Sequence, residues 1–359
     1  MTFRVGIKLA GQNWEETVNK HGDVIEKRTH IILKREAERG IQYHSFIGGL
    51  YQALREYVLR KGKRLASTSA LLTYKGFTGK IDDQILNVCA GLELYRHAIL
   101  VHDDLVDRDE TRRRGPTLHA AYAQSHDARL GEGLAVFAGN ILYTLALKTL
   151  MNSGFERDKL LQAIALMNEA FQDVNESQML DLLFEYKNPG IREWYTMASK
   201  RASSLFKASL GMGAILANAP SKDTRLLVEA AEHMGYCFDV QDDIIDTFAS
   251  EEQYGRKPGG DLAKRKKPLH LIYTYRMAGQ RRVEALKRAL LKPTLNLEGL
   301  AAVREVISGC GALEKAKKRS KKHAETAKKL LSETSLTVEV KGFFNSFIDY
   351  LMESLDWYR

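Results

Sequence analysis

Apolar residues recur at i, i+3 and i+4 along most of this chain, the spacing that lines one face of an α-helix. The pattern predicts helices over 43–59, 85–106, 134–151, 160–186, 194–217, 223–248 and 269–291, with further helical segments after 297. Breaks are expected at 75–80, 114–116, 188–190, 218–221 and 253–260, where glycine and proline cluster. The six prolines stand at 116, 189, 220, 258, 268 and 293, so none interrupts the first 115 residues. Proline-free stretches of that length suit long helices, and strands alternating with helical crossovers are absent, which disfavours Rossmann and P-loop folds. The expected fold class is all-α. No repeat of 20 to 50 residues and no low-complexity linker appears, so residues 1–359 are expected to form one domain, with 1–40 an N-terminal extension of uncertain role.

Composition adds boundaries. The 44% hydrophobic and 28% charged content is a normal globular balance. Cys89, Cys237 and Cys310 are odd in number and far apart, neither a CxxC pair nor a disulfide framework, which points to a reducing compartment. The first residues, MTFRVGIKLAGQNWEE, lack the apolar region of a signal peptide, and no run of about 18 uncharged apolar residues is found to span a bilayer. A cytoplasmic protein, not integral to the membrane, is expected. Net charge is +9, with basic clusters at 61–64, 112–114, 264–267 and 315–322. No zinc-finger spacing, RNP-type motif or obvious helix-turn-helix accompanies them, so nucleic acid is not the expected partner. The first three clusters adjoin glycine or carboxylate motifs and fit phosphorylated small molecules better. The fourth reads as a solvated helix face.

Two carboxylate clusters carry the chemistry. DDLVD places Asp103, Asp104 and Asp107 at the C-terminal end of the apolar run LELYRHAILVH, and DDIID repeats the spacing with Asp242, Asp243 and Asp246. On a helix, residues three and four apart project toward one side, where their charges repel without cations. Hard carboxylate oxygens on one face suit magnesium, which keeps some waters and takes further ligands from substrate phosphates. Each cluster is followed by a glycine-containing basic segment, RRRGPTLH after the first and YGRKPGGDLAKRKK after the second. Arginine forks and mobile lysines over a glycine-rich backbone make a cradle for diphosphate. A further basic turn, RKGKRLAS, sets Lys63 and Arg64 beside Gly62.

In order, GKRL, DDLVD with RRRGPTLH, QMLD, the lysine of MASKRASSLF, and DDIID with GRKPGGD resemble the trans-isoprenyl diphosphate synthases, the family of farnesyl and geranylgeranyl diphosphate synthases. The resemblance covers roughly residues 40 to 330. It implies an all-α bundle around a central cavity, a homodimer, and head-to-tail condensation of isopentenyl diphosphate with an allylic diphosphate. It implies three magnesium ions that turn the allylic diphosphate into a leaving group, and a released diphosphate that accepts the final proton, so no catalytic triad is expected. Asp103 and Asp107, supported by Asp104, match the first set of metal ligands, and Asp242 with Asp243 and Asp246 the second. Arg112 matches the allylic-diphosphate arginine; Lys200, Arg256 and Lys266 match basic positions that close over the same group, with arginine at 256 where lysine is usual. Lys63, with Arg64 beside it, and Arg113 match the isopentenyl site, and Gln178 with Asp181 the Q-x-x-D element.

Four further positions depart from the family pattern. Ala66 stands where arginine is usual and Arg96 where histidine or glutamine is usual, both at the isopentenyl site; the expectation is that Arg96 restores the charge missing at 66. Arg201 replaces a usual threonine and Asp239 a usual glutamine near the allylic site, where the two can pair with each other. His97 and His102 flank the first cluster but lack zinc-ligand spacing and are expected to be hydrogen-bonding histidines. In the resembled family, bulky residues four and five places before the first aspartate stop the growing tail. Here these places hold Ile99 and Ala98. Tyr95, three residues below Ala98 and so about 4.5 Å further along the helix, is expected to form the floor, giving a twenty-carbon product, with twenty-five carbons as the next alternative. The rival readings are a non-catalytic partner subunit of a synthase and a terpene cyclase, the latter disfavoured by the paired DDxxD clusters.

Overall fold

A computed structural model of the chain describes residues 14–254, 257–290 and 295–353. Seventeen helices are described, and the only strands among these residues are two short ones. The all-α expectation holds.

The chain opens with α1 (Trp14–Tyr43), followed by α2 (Ser45–Leu59), α3 (Leu65–Thr78) and α4 (Asp83–Val106). Residues expected as a bare extension thus form most of a thirty-residue helix that buries Val18, Gly22, Ile25, Thr29, Leu33, Glu36, Ala37 and Gly40 along one face. The side chain of Asp82 accepts from the Ile85 N–H at 3.1 Å and fixes the start of α4, two residues ahead of the expected 85. After α4 come strands β1 (Thr111–Arg112) and β2 (Gly115–Pro116), an antiparallel hairpin. Its two turn residues, Arg113 and Arg114, have φ of 50° and 62°, the left-handed pair that a tight hairpin turn demands and that arginine adopts at a cost.

Helices α5 (Leu118–Ser125), α6 (Ala128–Met151), α7 (Arg157–Tyr186), α8 (Ile191–Ala198), α9 (Ala202–Leu216) and α10 (Ser221–Phe248) follow. The helix expected over 194–217 is therefore two helices. Their break is held where the Ser203 hydroxyl lies 3.1 Å from the carbonyl of Ala198 and 3.2 Å from that of Glu232 on α10. Beyond α10 lie α11 (Glu251–Tyr254), α12 (Gly260–Ala263), α13 (Leu269–Met277), α14 (Gln280–Leu290), α15 (Leu297–Gly309), α16 (Ala312–Ser332) and α17 (Val338–Glu353). The expected 269–291 helix is likewise divided, between Met277 and Gln280.

Three apolar clusters hold the bundle. The first joins α1–α4, α6, α7 and α9 through residues such as Leu33, Leu54, Leu71, Leu92, Leu142 and Met212. The second joins α9, α10, α16 and α17, and the third joins α7, α8, α10, α13, α15 and α16 around Trp194 and Tyr273. Each fully buried leucine here contributes about 1.5–3 kcal/mol of transfer free energy. Because α4 and α10 are both enclosed by these clusters, their C-terminal ends are held in fixed places.

Candidate active site

The first carboxylate cluster ends α4. Asp103 and Asp104 lie in its last turn, and Asp107 caps it, its N–H donating to the Asp103 carbonyl at 2.8 Å. The three side chains do not share one environment. Asp104 turns inward, 1% exposed, accepting from the Tyr57 hydroxyl at 2.5 Å and pairing with Arg112 Nε. Asp103 faces the cleft, accepting from Gln178 Nε2 and, at 3.3 Å, from Arg112 Nη2. Asp107 accepts from Lys266 Nζ at 2.5 Å, and the same ammonium reaches Asp181 at 3.3 Å. Lys264 donates to Asp109 and lies 3.9 Å from Asp107. Burial pushes Asp104 up to about 6 against the pull of Arg112 and Tyr57. Asp107 also rises to about 6, through burial and Asp103, against Lys266.

The second cluster ends α10, where Asp243 and Asp246 are buried. The GGD segment folds back onto it: Gly259 donates its N–H to the Asp246 carbonyl at 2.7 Å, and the Asp261 N–H donates to Asp246 Oδ2 at 3.2 Å. Arg201, in the break between α8 and α9, lies 3.9 Å from Asp239, so the two unusual residues do pair. Burial alone would depress the Arg201 guanidinium, but Asp181, Asp239, Asp243 and Asp261 hold it well above its ordinary value. Asp239 is pushed up to about 7 and Asp243 well above the carboxylate range, both by burial opposed by Arg201. Lys266 joins the two halves: burial lowers it, yet Asp261, Asp181 and Asp107 together raise it well above normal.

A second basic centre lies behind Arg112. Arg113 Nη1 sits 3.3 Å from His97 Nε2 and from the Arg60 carbonyl. A Cβ at Gly62 would come within 2.6 Å of its guanidinium carbon, so only glycine lets this arginine lie across the turn. Burial, then Arg96 and Arg64, push Arg113 down to about 9. Glu93, fully buried, would rise on burial but is held below its usual value by Arg64, Arg96, Ser67 and Arg113. Burial followed by the fields of Arg113, Arg64 and Arg96 keeps His97 neutral. His97 shares a 2.7 Å hydrogen bond with the Glu93 carbonyl, as a structural histidine would.

Other expected residues are placed differently. Arg64 is 3% exposed and committed inward, to Glu93 at 3.1 Å and Glu26 at 3.0 Å. Lys63 is engaged by Tyr350 at 2.6 Å and Glu15 at 3.4 Å, with its ammonium over the rings of Tyr350 and Trp14. Lys200 pairs with Asp173 and Glu176 of α7, at 2.6 and 2.5 Å. Arg256 lies outside the described residues. Beside Asp103, a cleft of about 60 Å³ is lined by Ile99, His102, Asp103, Phe171, Val174 and Gln178, among others. Ala98 is fully buried and does not line this cleft. Tyr95 is buried just beneath, its ring 6.0 Å from Phe171 and 6.2 Å from Tyr143, and Tyr143 stacks on Phe171 at 4.0 Å. Sequence reasoning missed Tyr57, for which no local motif exists. It also passed over Lys264 and Asp261, although both stand inside the basic segment it singled out.

Among the described residues no three acidic or imidazole side chains converge into a closed metal site. The two aspartate sets instead offer hard oxygens across a cleft, an open arrangement that leaves room for the waters and phosphates magnesium prefers. Asp243 Oδ2 is buried with no hydrogen-bond partner, a costly state for a carboxylate that a cation relieves. The donor set fits magnesium.

Comparison with known proteins agrees. Residues 48–307 match the Polyprenyl synthetase family. A geranylfarnesyl diphosphate synthase from Aeropyrum pernix is 28% identical over 298 residues, covering 81% of this chain and 90% of that protein. A geranylgeranyl diphosphate synthase from Sulfolobus acidocaldarius is 27% identical, covering 83% and 89%. In three dimensions, a geranylgeranyl pyrophosphate synthase from Corynebacterium glutamicum, complexed with isoprenyl diphosphate and magnesium, superposes with a TM-score of 0.88 at 21% identity, over 94% of this chain and 99% of that one. Helical architecture, facing aspartate clusters and the extent of the match lead to one assignment: this chain belongs to the polyprenyl synthetase family.

Proposed function

We propose that the protein is a prenyltransferase that joins isopentenyl diphosphate head to tail (1′–4) to an allylic diphosphate, with geranylgeranyl diphosphate as its product. The observation that carries this reading is the position of Lys266, which bonds Asp107 of the first cluster and Asp181 while lying in the field of Asp261 beside the second. An ammonium so placed marks where a diphosphate would sit between the clusters. Arg112, held charged by Asp104 and Asp103, and Arg201 would grip the same group, with Gln178 fixing the orientation of Asp103. Asp103 and Asp107 on one side, and Asp242, Asp243 and Asp246 on the other, would hold three magnesium ions. Bound there, magnesium neutralises the diphosphate and makes it a better leaving group. Arg113 and Arg96, gathered around Glu93 and His97, would bind isopentenyl diphosphate, with Arg64 anchoring Glu93 from within. No protein side chain is assigned as the final base; the released diphosphate takes that proton. We further propose one domain over 1–359, a homodimer and a cytoplasmic setting.

Purified protein incubated with magnesium, isopentenyl diphosphate and each allylic diphosphate from five to twenty carbons, followed by product chromatography, tests the proposal. Magnesium-dependent formation of a twenty-carbon diphosphate is expected, and no elongation with any starter would overturn it. A second reading, a partner subunit of low activity, draws on the occupied state of Lys63 between Glu15, Tyr350 and Trp14. That reading would show as elongation only after addition of a separate synthase.

A further inference from the structure

The basic stretch at 315–322 reads from sequence as a solvated helix face, yet part of it lines a cavity. A cleft of about 270 Å³ between α8, α10 and α16 is bounded by Tyr195, His233, Arg319, Lys322, His323 and Thr326. Positions 319, 322, 323 and 326 fall at i, i+3, i+4 and i+7 of α16, one stripe along the helix. Every lining side chain offers a hydrogen-bond donor, and none is a carboxylate.

Only some of the basic groups on α16 have counterions. On the same helix Lys317 pairs with Glu314 and Lys328 with Asp349. Among the described residues Arg319 and Lys322 form no ion pair. The acids whose fields reach the two histidines are Glu229 and Glu232 of α10, and Glu232 is already held by Lys207 at 2.9 Å and by the Tyr236 hydroxyl at 3.3 Å. At the back of the cleft His233 Nδ1 and His323 Nδ1 are 2.7 Å apart, and His323 Nε2 lies 3.4 Å from the Tyr195 hydroxyl. Burial and the fields of His233, Arg319 and Lys322, weakly opposed by Glu232, push His323 down to about 4. The shared Nδ1–Nδ1 hydrogen bond uses one imidazole proton, so only the accepting ring keeps an Nε2–H to donate, beside the positive charges of Arg319 and Lys322. Two imidazoles already hydrogen-bonded to each other make a poor start for a metal site, whereas an oxyanion complements Arg319, Lys322, the Thr326 hydroxyl and the one remaining imidazole N–H.

We propose that this cleft is a phosphate-binding site, separate from the paired aspartates, that takes the phosphate or diphosphate group of a small molecule. His233 precedes Asp242 by nine residues on α10, about 13 Å along the helix, so the two sites share an element without sharing side chains. The volume is below the usual range for whole cofactor sites, which favours a phosphate monoester or inorganic diphosphate over a nucleotide.

The test is local. Full-length protein with labelled histidine is titrated, without divalent cation, with inorganic diphosphate in one arm and glycerol phosphate in another, and the ring signals are followed by NMR. A His323→Gln variant identifies the signal. Saturable movement of the His323 and His233 signals at millimolar ligand or below is expected, weakened at least tenfold in Arg319→Ala/Lys322→Ala, whose two changes lie on exposed side chains. The arm with the tighter response names the source. Signals that do not move in either arm, or that move equally in the double variant at unchanged thermal stability, overturn the proposal.

Discussion

Arg96 belongs to the proposed isopentenyl half of the site, and its electrostatics are the most informative there. It acts on Glu93, His97 and Arg113 together, raising the positive potential that Ala66 does not supply. In Arg96→His the Michaelis constant for isopentenyl diphosphate is expected to rise about tenfold, the worth of one charge-assisted hydrogen bond, with the constant for the allylic substrate little changed. Steady-state kinetics with each substrate varied separately checks this, and an unchanged isopentenyl constant counts against it. Tail length is also a residue matter. Ile99 and Phe171 line the cleft beside Asp103, with Tyr95 and Tyr143 packed behind Phe171. Tyr95→Ala is expected to lengthen the product beyond twenty carbons by opening space under Phe171, read by chromatography; an unaltered product distribution would leave Phe171 as the stop. The aspartates of both clusters were legible because identical spacing recurs beside basic loops. Tyr57 was not, since its link to Asp104 joins residues 47 positions apart and leaves no trace in local pattern. Nor did sequence show that Arg64 turns inward, because that depends on Glu26 and Glu93 arriving from two other helices.

Elements were read well where an apolar stripe is broad and badly where tertiary contacts decide. Helices α2, α4, α7 and α10 begin and end within a few residues of expectation. By contrast α1 buries Gly22, Thr29, Glu36 and Gly40 among its apolar residues, and a stripe so mixed gives no hydrophobic period. The junction between α8 and α9 escaped for another reason: apolar spacing continues across a three-residue turn that Ser203 and α10 enforce. That turn carries Arg201, which lies 3.9 Å from Asp239 of α10 and in the field of Asp243, so the approach of α9 to α10 matters for the site. The approach is set by Gly235, where a Cβ would lie 2.3 Å from Ser203 Cα. Alanine there gains helix propensity of about 1 kcal/mol but forces two backbones apart, and overpacking costs about 1–3 kcal/mol or more. Gly235→Ala is therefore expected to lower the midpoint of thermal unfolding by several degrees and to reduce allylic-diphosphate affinity by moving Arg201. Calorimetry and substrate kinetics test the two parts, and a stabilised protein would show that the helices separate freely.

At the scale of the whole molecule, the surface carries an apolar face that the monomer leaves uncovered. Helix α6 is long and apolar enough by composition to cross a membrane, yet its most apolar window is only 39% buried. Phe137 is 65% exposed on it, with Val136 beside it, and α7 exposes Met179, Leu182 and Leu183. Exposed apolar side chains gathered on two successive helices point to an association site. A second copy is the occupant that fits the proposed homodimer, and an isologous interface places the same two helices of each subunit face to face. The consequence reaches the cleft, because α7 also carries Gln178 and Asp181, the partners of Asp103 and Lys266. Phe137→Arg puts a charge on the exposed side of α6 without touching the core, so the fold is expected to survive while association fails. Sedimentation should then show a monomer of unaltered helical content, and turnover should fall at least tenfold as α7 loses its support. A variant that stays dimeric would place the interface elsewhere, and a fully active monomer would show that each cleft is complete within one chain.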